Sequence, residues 1–398
     1  MLSPPSASRS DAPSLFALRA VLCFCAPMLV NGISVLYFPV LLNDLKMSPE
    51  EIGIITSIPA LMRIIGMPVG AMLADRVSDR TIVLIWSGLV SLVTTIVMFW
   101  TQSFWSVVLI YGIQSLFYAP YVPIADAILV TGVRRWGFDY GSLRVWGSVA
   151  FAGTTFIGIG LDRFGGGVVL PCLAAFFALT VAMAITAPRL GRARPLQPAG
   201  QPADTAKAPF WETDFLLVIV GASIVMSSQS MVYAFATNYW TARGFSGLEI
   251  SFFWLAGVLS EIVLFYVSGR WLARVSVWQL LILGSVVTML RWALFPLVDG
   301  FWPYFVLQAM HAFTFAMIHL GVQRFMIGRV GDRFGASAQG FYQATNSIFA
   351  VITGWASGYI FAAFGVHGFL SMALVTVLGL LVILAARAVQ PQSAVSGG

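Results

Sequence analysis

Residues Phe16 to Leu42 read FALRAVLCFCAPMLVNGISVLYFPVLL, a run of 27 positions with one charge, Arg19. About 20 helical residues cross the roughly 30 Å hydrocarbon core of a bilayer, so this run is long enough to span it. It is too long for the apolar core of a signal peptide and lacks a small-residue cleavage pattern, which marks it as a retained first membrane helix. Apolar runs of similar length recur near 49–73, 81–101, 104–131, 142–164 and 167–187. They resume near 214–240, 247–272, 277–298, 303–328, 336–361 and 366–388. Of 398 residues, 59% are hydrophobic and 10% charged, and mean hydropathy is +0.88. Soluble domains carry roughly 25% charged residues to maintain a solvated surface, so this surface faces lipid. The expected fold is all-α and integral to the membrane, with twelve transmembrane helices in two six-helix bundles.

The two sets of six runs are nearly equal in length and flank a segment, 188–210, rich in Pro, Ala, Gln and Arg. Such composition reads as a flexible linker. The expected organisation is an N-terminal bundle over 1–187, a cytoplasmic linker over 188–210 and a C-terminal bundle over 211–398. Ser48-Pro49-Glu50-Glu51 supplies an N-cap, a proline at the first helical position and acids in the first turn, so the second helix starts there. With the N-terminus inside, fourteen of the 22 Lys and Arg residues fall at cytoplasmic helix ends or in the linker, and only Lys46, Arg163 and Arg243 lie in the opposite loops. Basic residues concentrate on the cytoplasmic side, so both termini are expected there, in a bacterial-type inner membrane. The net charge of +6 does not point to nucleic acid, because the basic residues are scattered singly between apolar runs. Cys23, Cys25 and Cys172 sit inside apolar runs without zinc or CxxC spacing and are expected to be small buried hydrophobes. No metal is expected.

An ionisable side chain in the middle of a membrane helix costs about 3 kcal/mol on insertion scales, so each calls for a reason. Arg63, Asp126, Arg144, Glu261, Arg291, His311 and His319 all fall within apolar runs. In an antiparallel helical hairpin, positions equidistant from the turn sit at similar depth. Asp126 and Arg144 lie nine residues either side of Arg135, so the two can pair. Glu261 and Arg291 lie fifteen residues either side of Ser276, and Arg291 and His311 ten either side of Phe301. These three therefore share a layer near mid-membrane. A carboxylate and an imidazole both titrate in a useful range once desolvated, so the layer suits a proton relay. The plainer alternative is that buried pairs fix helix register and histidines cap carbonyls. His319 lies nearer the cytoplasmic end. Arg63 has no acidic match at its depth and is either a packing residue or a substrate anchor. Three deep arginines against Asp126 and Glu261 leave one cation in surplus, which favours a monoanionic solute.

The segment Ala71-Met72-Leu73-Ala74-Asp75-Arg76-Val77-Ser78-Asp79-Arg80 resembles the loop motif of the major facilitator superfamily, with two glycines replaced and Asp79 where a basic residue is usual. By that resemblance Asp75, Arg76 and Arg80 form a gating loop that pairs with neighbouring helix ends. Tyr37-Phe38-Pro39, Gly141-Ser142-Leu143-Arg144-Val145-Trp146-Gly147, Glu261, Arg291 and His311 resemble lactose permease-type symporters in order and context. Ala119-Pro120-Tyr121-Val122-Pro123-Ile124-Ala125-Asp126 and His311-Ala312-Phe313-Thr314-Phe315 with His319 are similar to the phenylpropionate permease branch. The resemblance covers about residues 16–388. It implies the major facilitator fold with a central cavity near the bilayer midplane, Asp126 and Arg144 as a substrate-binding charge pair, and Glu261, Arg291 and His311, with His319 near them, as the proton-coupling group. Three departures stand out. Thr314 replaces the coupling glutamate, Leu264 replaces a sugar-binding asparagine, and Phe151 replaces the sugar-stacking tryptophan.

The chain lacks H-E-x-x-H, G-x-S-x-G and a phosphate-binding loop, so neither an enzyme nor an ATP-driven pump is indicated. A receptor would need an output domain, which the short tails do not supply. The reading is a secondary active transporter, not an enzyme, that symports protons with a small organic solute by alternating access. An aromatic or other carboxylate is the first expectation, with Arg63, Asp126, Arg144 and Phe151 binding it. A sugar, oligosaccharide or nucleoside is the alternative solute, and a non-transporting membrane sensor the alternative class. The expected partners are the solute, protons and the lipid bilayer, with no cofactor beyond the proton gradient, and the protein is expected to act as a monomer.

Overall fold

Ser48 opens its helix with a capping box. Its hydroxyl accepts from Glu51 N (3.3 Å) and the Glu51 carboxylate accepts from Ser48 N (2.9 Å), while Pro49 occupies a position where no N–H is needed. The computed structural model describes residues 11–191, 211–272, 274–330 and 335–390, with the side chains of 267–271 and 335–336 left out of the description. Among these residues the regular structure is helical, with no strand. The first half comprises α1 (Phe16–Leu36), α2 (Phe38–Asp44), α3 (Pro49–Arg76), α4 (Thr81–Met98), α5 (Phe104–Tyr118), α6 (Tyr121–Trp136), α7 (Tyr140–Thr154), α8 (Leu161–Phe164) and α9 (Val169–Thr186). The second comprises α10 (Thr213–Ser227), α11 (Ser230–Ala242), α12 (Gly247–Trp271), α13 (Val277–Leu294), α14 (Phe301–Ala309), α15 (Met317–Arg329), α16 (Gly335–Phe364) and α17 (Phe369–Val389). The linker expected over 188–210 lies outside the described residues from 192 onward, as do Arg9, Arg192, Arg194, Lys207 and Arg333 of the basic asymmetry.

Among the described residues, ten helical stretches are long and apolar enough to cross a membrane. Two of them, Tyr140–Thr186 with 47 residues and Ser337–Val389 with 53, are too long for one passage at 1.5 Å per residue. Each turns back through a short 3₁₀ segment, Gly165–Val168 or Gly365–Gly368. Gly165 (φ +53°) and Gly365 (φ +54°) occupy the left-handed region there, which a Cβ would disfavour. Counting two passages for each gives the twelve expected from the apolar runs.

Several passages are broken where a single helix was expected. The 16–42 run divides at Tyr37, because Pro39 in the first turn of α2 cannot donate backward. The 104–131 run divides at Ala119–Pro120 for the same reason. The 214–240 run divides at Ser228–Gln229, and the 303–328 run through a π-helical turn, Ala312–Ala316.

Backbone proximity divides the chain into two units, Met1–Leu196 with Trp240–Ser251, and Gln197–Tyr239 with Phe252–Gly398. In the first, α1 packs on α6, α7 and α9, and α4 on α5 and α9, around Phe24, Tyr121, Leu129 and Trp136. In the second, α10 packs on α16 and α17, and α13 on α15 and α17, around Phe215, Val225, Ile318 and Tyr342. Large apolar side chains face outward, among them Trp86 at 63%, Trp105 at 75% and Leu374 at 70% exposure. So many exposed apolar side chains require lipid rather than water around them. Cys23 is buried, whereas Cys25 and Cys172 are only partly so.

Three basic residues near helix ends have structural tasks. Arg19 donates to Thr186 O (2.6 Å) and Ala187 O (3.2 Å), capping the carbonyls that α9 leaves open. Arg324 does the same for Leu272 O (2.8 Å) and Val275 O (3.1 Å). Arg329 joins the ends of α15 and α10 by ion pairs to Glu212 (2.7 Å) and the buried Asp214 (2.8 Å).

Candidate functional site

In the first unit, Asp139 caps α7 by accepting from Ser142 N at 2.7 Å, which sets Tyr140, Arg144 and Phe151 on one helix face at i, i+4 and i+11. Gly147 lies on the same face, and Phe24 of α1 occupies the space its Cβ would need. Close approach of α1 therefore depends on that glycine. Arg144 Nη1 stands 3.8 Å from Asp126 Oδ1 of α6, with the Arg144 guanidinium 5.0 Å from the centre of the Phe24 ring. The Tyr140 hydroxyl donates to the same Asp126 oxygen at 2.8 Å. Half of the Arg144 side chain and 30% of Asp126 remain exposed. An ion pair this open adds at most about 1 kcal/mol to stability, so fold stability is a poor reason for its presence. Phe151, half-buried, extends the face by an aromatic ring.

In the second unit, Arg291 of α13 is 1% exposed. It donates through Nη1 to Gln229 Oε1 (3.2 Å) and Thr314 Oγ1 (3.1 Å), and through Nη2 to Gln308 Oε1. Its plane lies over the Trp292 ring, 4.5 Å from the centroid. Among the described residues no carboxylate forms an ion pair with it, and Arg291 Nε and Gln308 Nε2 are buried without an acceptor. The shell is therefore rich in donors and poor in negative charge, which is unusual for a buried cation. His311, at the start of the π turn, lies between this shell and Glu261 of α12. Its Nδ1 is 3.5 Å from Arg291 Nη1 and its Nε2 is 3.8 Å from Glu261 Oε2. Arginine has only donors to offer, so the Arg291 contact is a hydrogen bond in the tautomer whose Nδ1 accepts, which places the ring proton on Nε2, on the side of the carboxylate. His311, Phe315 and His319 stack in sequence, with ring centroids 5.3 and 6.0 Å apart.

The structure thus brings Asp126 to Arg144, and Glu261 to Arg291 through His311 rather than directly. Arg63 is exposed on α3 and has no hydrogen-bond or ion-pair partner among the described residues. Asp75, in the last turn of α3 and 67% exposed, pairs with Arg80, the N-cap of α4, at 3.6 Å, so the pair joins two neighbouring helix ends. Asp79, out of place against the motif, caps α4 by accepting from Thr81 N (2.9 Å) and also accepts from Gly191 N (2.9 Å).

Charged groups alone do not reveal Tyr140, Gln229 and Gln308, which carry hydrogen bonds to Asp126 and Arg291. Gln229 and Gln308 nevertheless stand as polar residues in apolar runs, and Tyr140 precedes Arg144 by one helical turn.

Comparison with known proteins adds the lineage. The MFS_1 like family model matches residues 17–372. The chain is 27% identical over 362 residues to the "Probable 3-phenylpropionic acid transporter" of Escherichia coli (strain K12), covering 86% of this chain and 91% of the relative. It is 21% identical over 353 residues to the maltose permease of Geobacillus stearothermophilus, covering 86% and 87%. The solved nucleoside transporter NupG superposes with a TM-score of 0.81 at 16% identity, covering 94% of this chain and 100% of that one, which shows a shared fold. With nine-tenths of the sequence matched by one family model and a transporter fold throughout, the chain belongs to the MFS_1 like family and is a multi-pass membrane transporter of the major facilitator kind.

Proposed function

We propose that the protein is a proton symporter for a small organic monoanion, an aromatic carboxylate of the phenylpropionate class, working by alternating access in the inner membrane. The observation that carries this reading is the Arg291–His311–Glu261 chain, in which an imidazole separates a fully buried cation from a partly exposed carboxylate. A second proton on His311 would turn Nδ1 into a donor facing the Arg291 donors. Glu261 is therefore the group that gains and loses the proton. Movement of Arg291 relative to Glu261 between access states would change which form is favoured.

The half-exposed Arg144, with Phe151 on the same helix face, supplies a cation and an aromatic surface for the solute. The relative named as a 3-phenylpropionic acid transporter supports the same class. A sugar is less well served. Leu264, standing where the lactose permease type has a sugar-binding asparagine, is buried among Leu280, Ala312 and Met317 and offers no hydrogen bond.

The test is competition for uptake of labelled 3-phenylpropionate into proteoliposomes. Excess unlabelled 3-phenylpropionate should suppress the signal, while maltose, uridine and 3-phenylpropanamide should leave it nearly intact. Suppression by maltose or uridine alone would replace the carboxylate reading with a neutral solute.

The orientation proposed from the basic asymmetry places both termini in the cytoplasm. Reporter fusions after Val389 and within 195–205 should read as cytoplasmic, and a periplasmic signal at either place would reverse the topology.

A further inference from the structure

Resting on the carboxylate reading above, we propose that Tyr140 is a positioning residue for solute selection: by holding Asp126 it keeps the Arg144 guanidinium open to the solute's carboxylate. Both groups address one oxygen, Asp126 Oδ1, with Tyr140 Oη at 2.8 Å and Arg144 Nη1 at 3.8 Å. A closed guanidinium–carboxylate pair has N–O distances of about 2.7–2.9 Å, and 3.8 Å is too long for a hydrogen bond. Asp126 is thus bonded to the phenol and merely near the arginine.

Arg144 makes no hydrogen bond among the described residues. Its support is the Phe24 ring, 5.0 Å away, and a ring beneath the guanidinium plane leaves the N–H fork at the edge of that plane unused. Tyr140 itself is fixed, since its ring packs against the buried cluster of Phe16, Tyr121 and Leu129. The hydroxyl also draws on the negative charge that would otherwise repel an incoming anion. Without it, Asp126 would close the last ångström onto Arg144, neutralise the fork and remove the advantage of a carboxylate over its neutral amide.

Two measurements separate this inference from the reading it rests on. The first needs no solute. Purified protein is treated with phenylglyoxal, and labelling of Arg144 is followed by peptide mass spectrometry, with protection of the buried Arg291 as the fold control. Tyr140→Phe should slow Arg144 labelling about tenfold, and Asp126→Asn added to Tyr140→Phe should restore it. Unchanged labelling in a folded Tyr140→Phe protein would overturn the proposal. Should Tyr140→Phe fail the fold control, Asp126→Asn alone decides. Arg144 labelling should stay near wild type if Tyr140 already holds Asp126, and a severalfold rise would show a closed Asp126–Arg144 pair and overturn the idea.

The second measurement titrates 3-phenylpropionate and 3-phenylpropanamide. Tyr140→Phe should weaken carboxylate binding about tenfold and leave amide binding unchanged, and an equal loss for both would assign Tyr140 a purely structural role. Wild type that binds neither compound, or both equally, removes the carboxylate reading while the labelling result still judges Tyr140.

Discussion

Glu261→Gln protein is expected to exchange solute across a membrane at equal concentrations and to lose all concentrative uptake under an imposed proton gradient. One pH unit is worth about 1.4 kcal/mol per proton, so one-to-one coupling supports about a tenfold accumulation for each unit. The glutamine variant should instead settle at a ratio of about one. The amide keeps the size of the side chain and can still meet His311 Nε2, so the Arg291 shell should survive the change. His311→Gln should lower the accumulation ratio without abolishing it, because a glutamine can accept from Arg291 and still point a donor towards Glu261. Full uphill uptake by Glu261→Gln, together with its loss in His319→Gln, would move the relay to the stacked His311–Phe315–His319 column.

Arg144→Ala should reduce uptake by about a hundredfold. A charge-assisted hydrogen bond to a carboxylate is worth about 1.5–3 kcal/mol, and removing the arginine also leaves Asp126 as the dominant charge beside the solute. Arg144→Lys should recover only part of the rate, since an ammonium cannot present a planar fork. Asp126→Ala should impair turnover at least tenfold by a different route, because an unbalanced guanidinium holds the anion and slows its release. Initial-rate measurements at several solute concentrations separate the two, with a raised KM for Arg144→Ala and a lowered maximal rate for Asp126→Ala. Normal transport in both single variants would make the pair a helix-register device.

Equal-depth counting about the loops identified the right neighbours in both units because the α6–α7, α12–α13 and α13–α14 turns are short and their helices antiparallel. Charges one can count this way were legible: Asp126 with Arg144, and Glu261, His311 and Arg291 in one layer. The bonding inside each group was not legible. Gln229, Gln308 and Thr314 take the place of a carboxylate around Arg291, and amides leave no charge to count. The capping box at Ser48 could be read directly because it needs only four consecutive residues. Pro39 and Pro120 signalled breaks that hydropathy alone passed over. The π turn at Ala312–Ala316 carries no Gly or Pro to announce it, and such turns recur at functional sites. The gating-loop motif placed Asp75 and Arg80 between helix ends, and their ion pair joins the end of α3 to the start of α4.

Electroneutral symport is the central claim, since one proton and one carboxylate carry no net charge and the membrane potential then contributes nothing to uptake. The direct measurement is a pH-electrode recording outside lightly buffered proteoliposomes as 3-phenylpropionate is added at near-neutral pH, with protein-free liposomes subtracting passive entry of the neutral acid. Wild type should alkalinise the medium by one proton per solute taken up, at a rate unaffected by clamping the potential with potassium and valinomycin, and Glu261→Gln should give no protein-dependent alkalinisation. Protein-dependent solute entry in wild type without any proton disappearance, or entry that follows the clamped potential, would contradict proton coupling through Glu261.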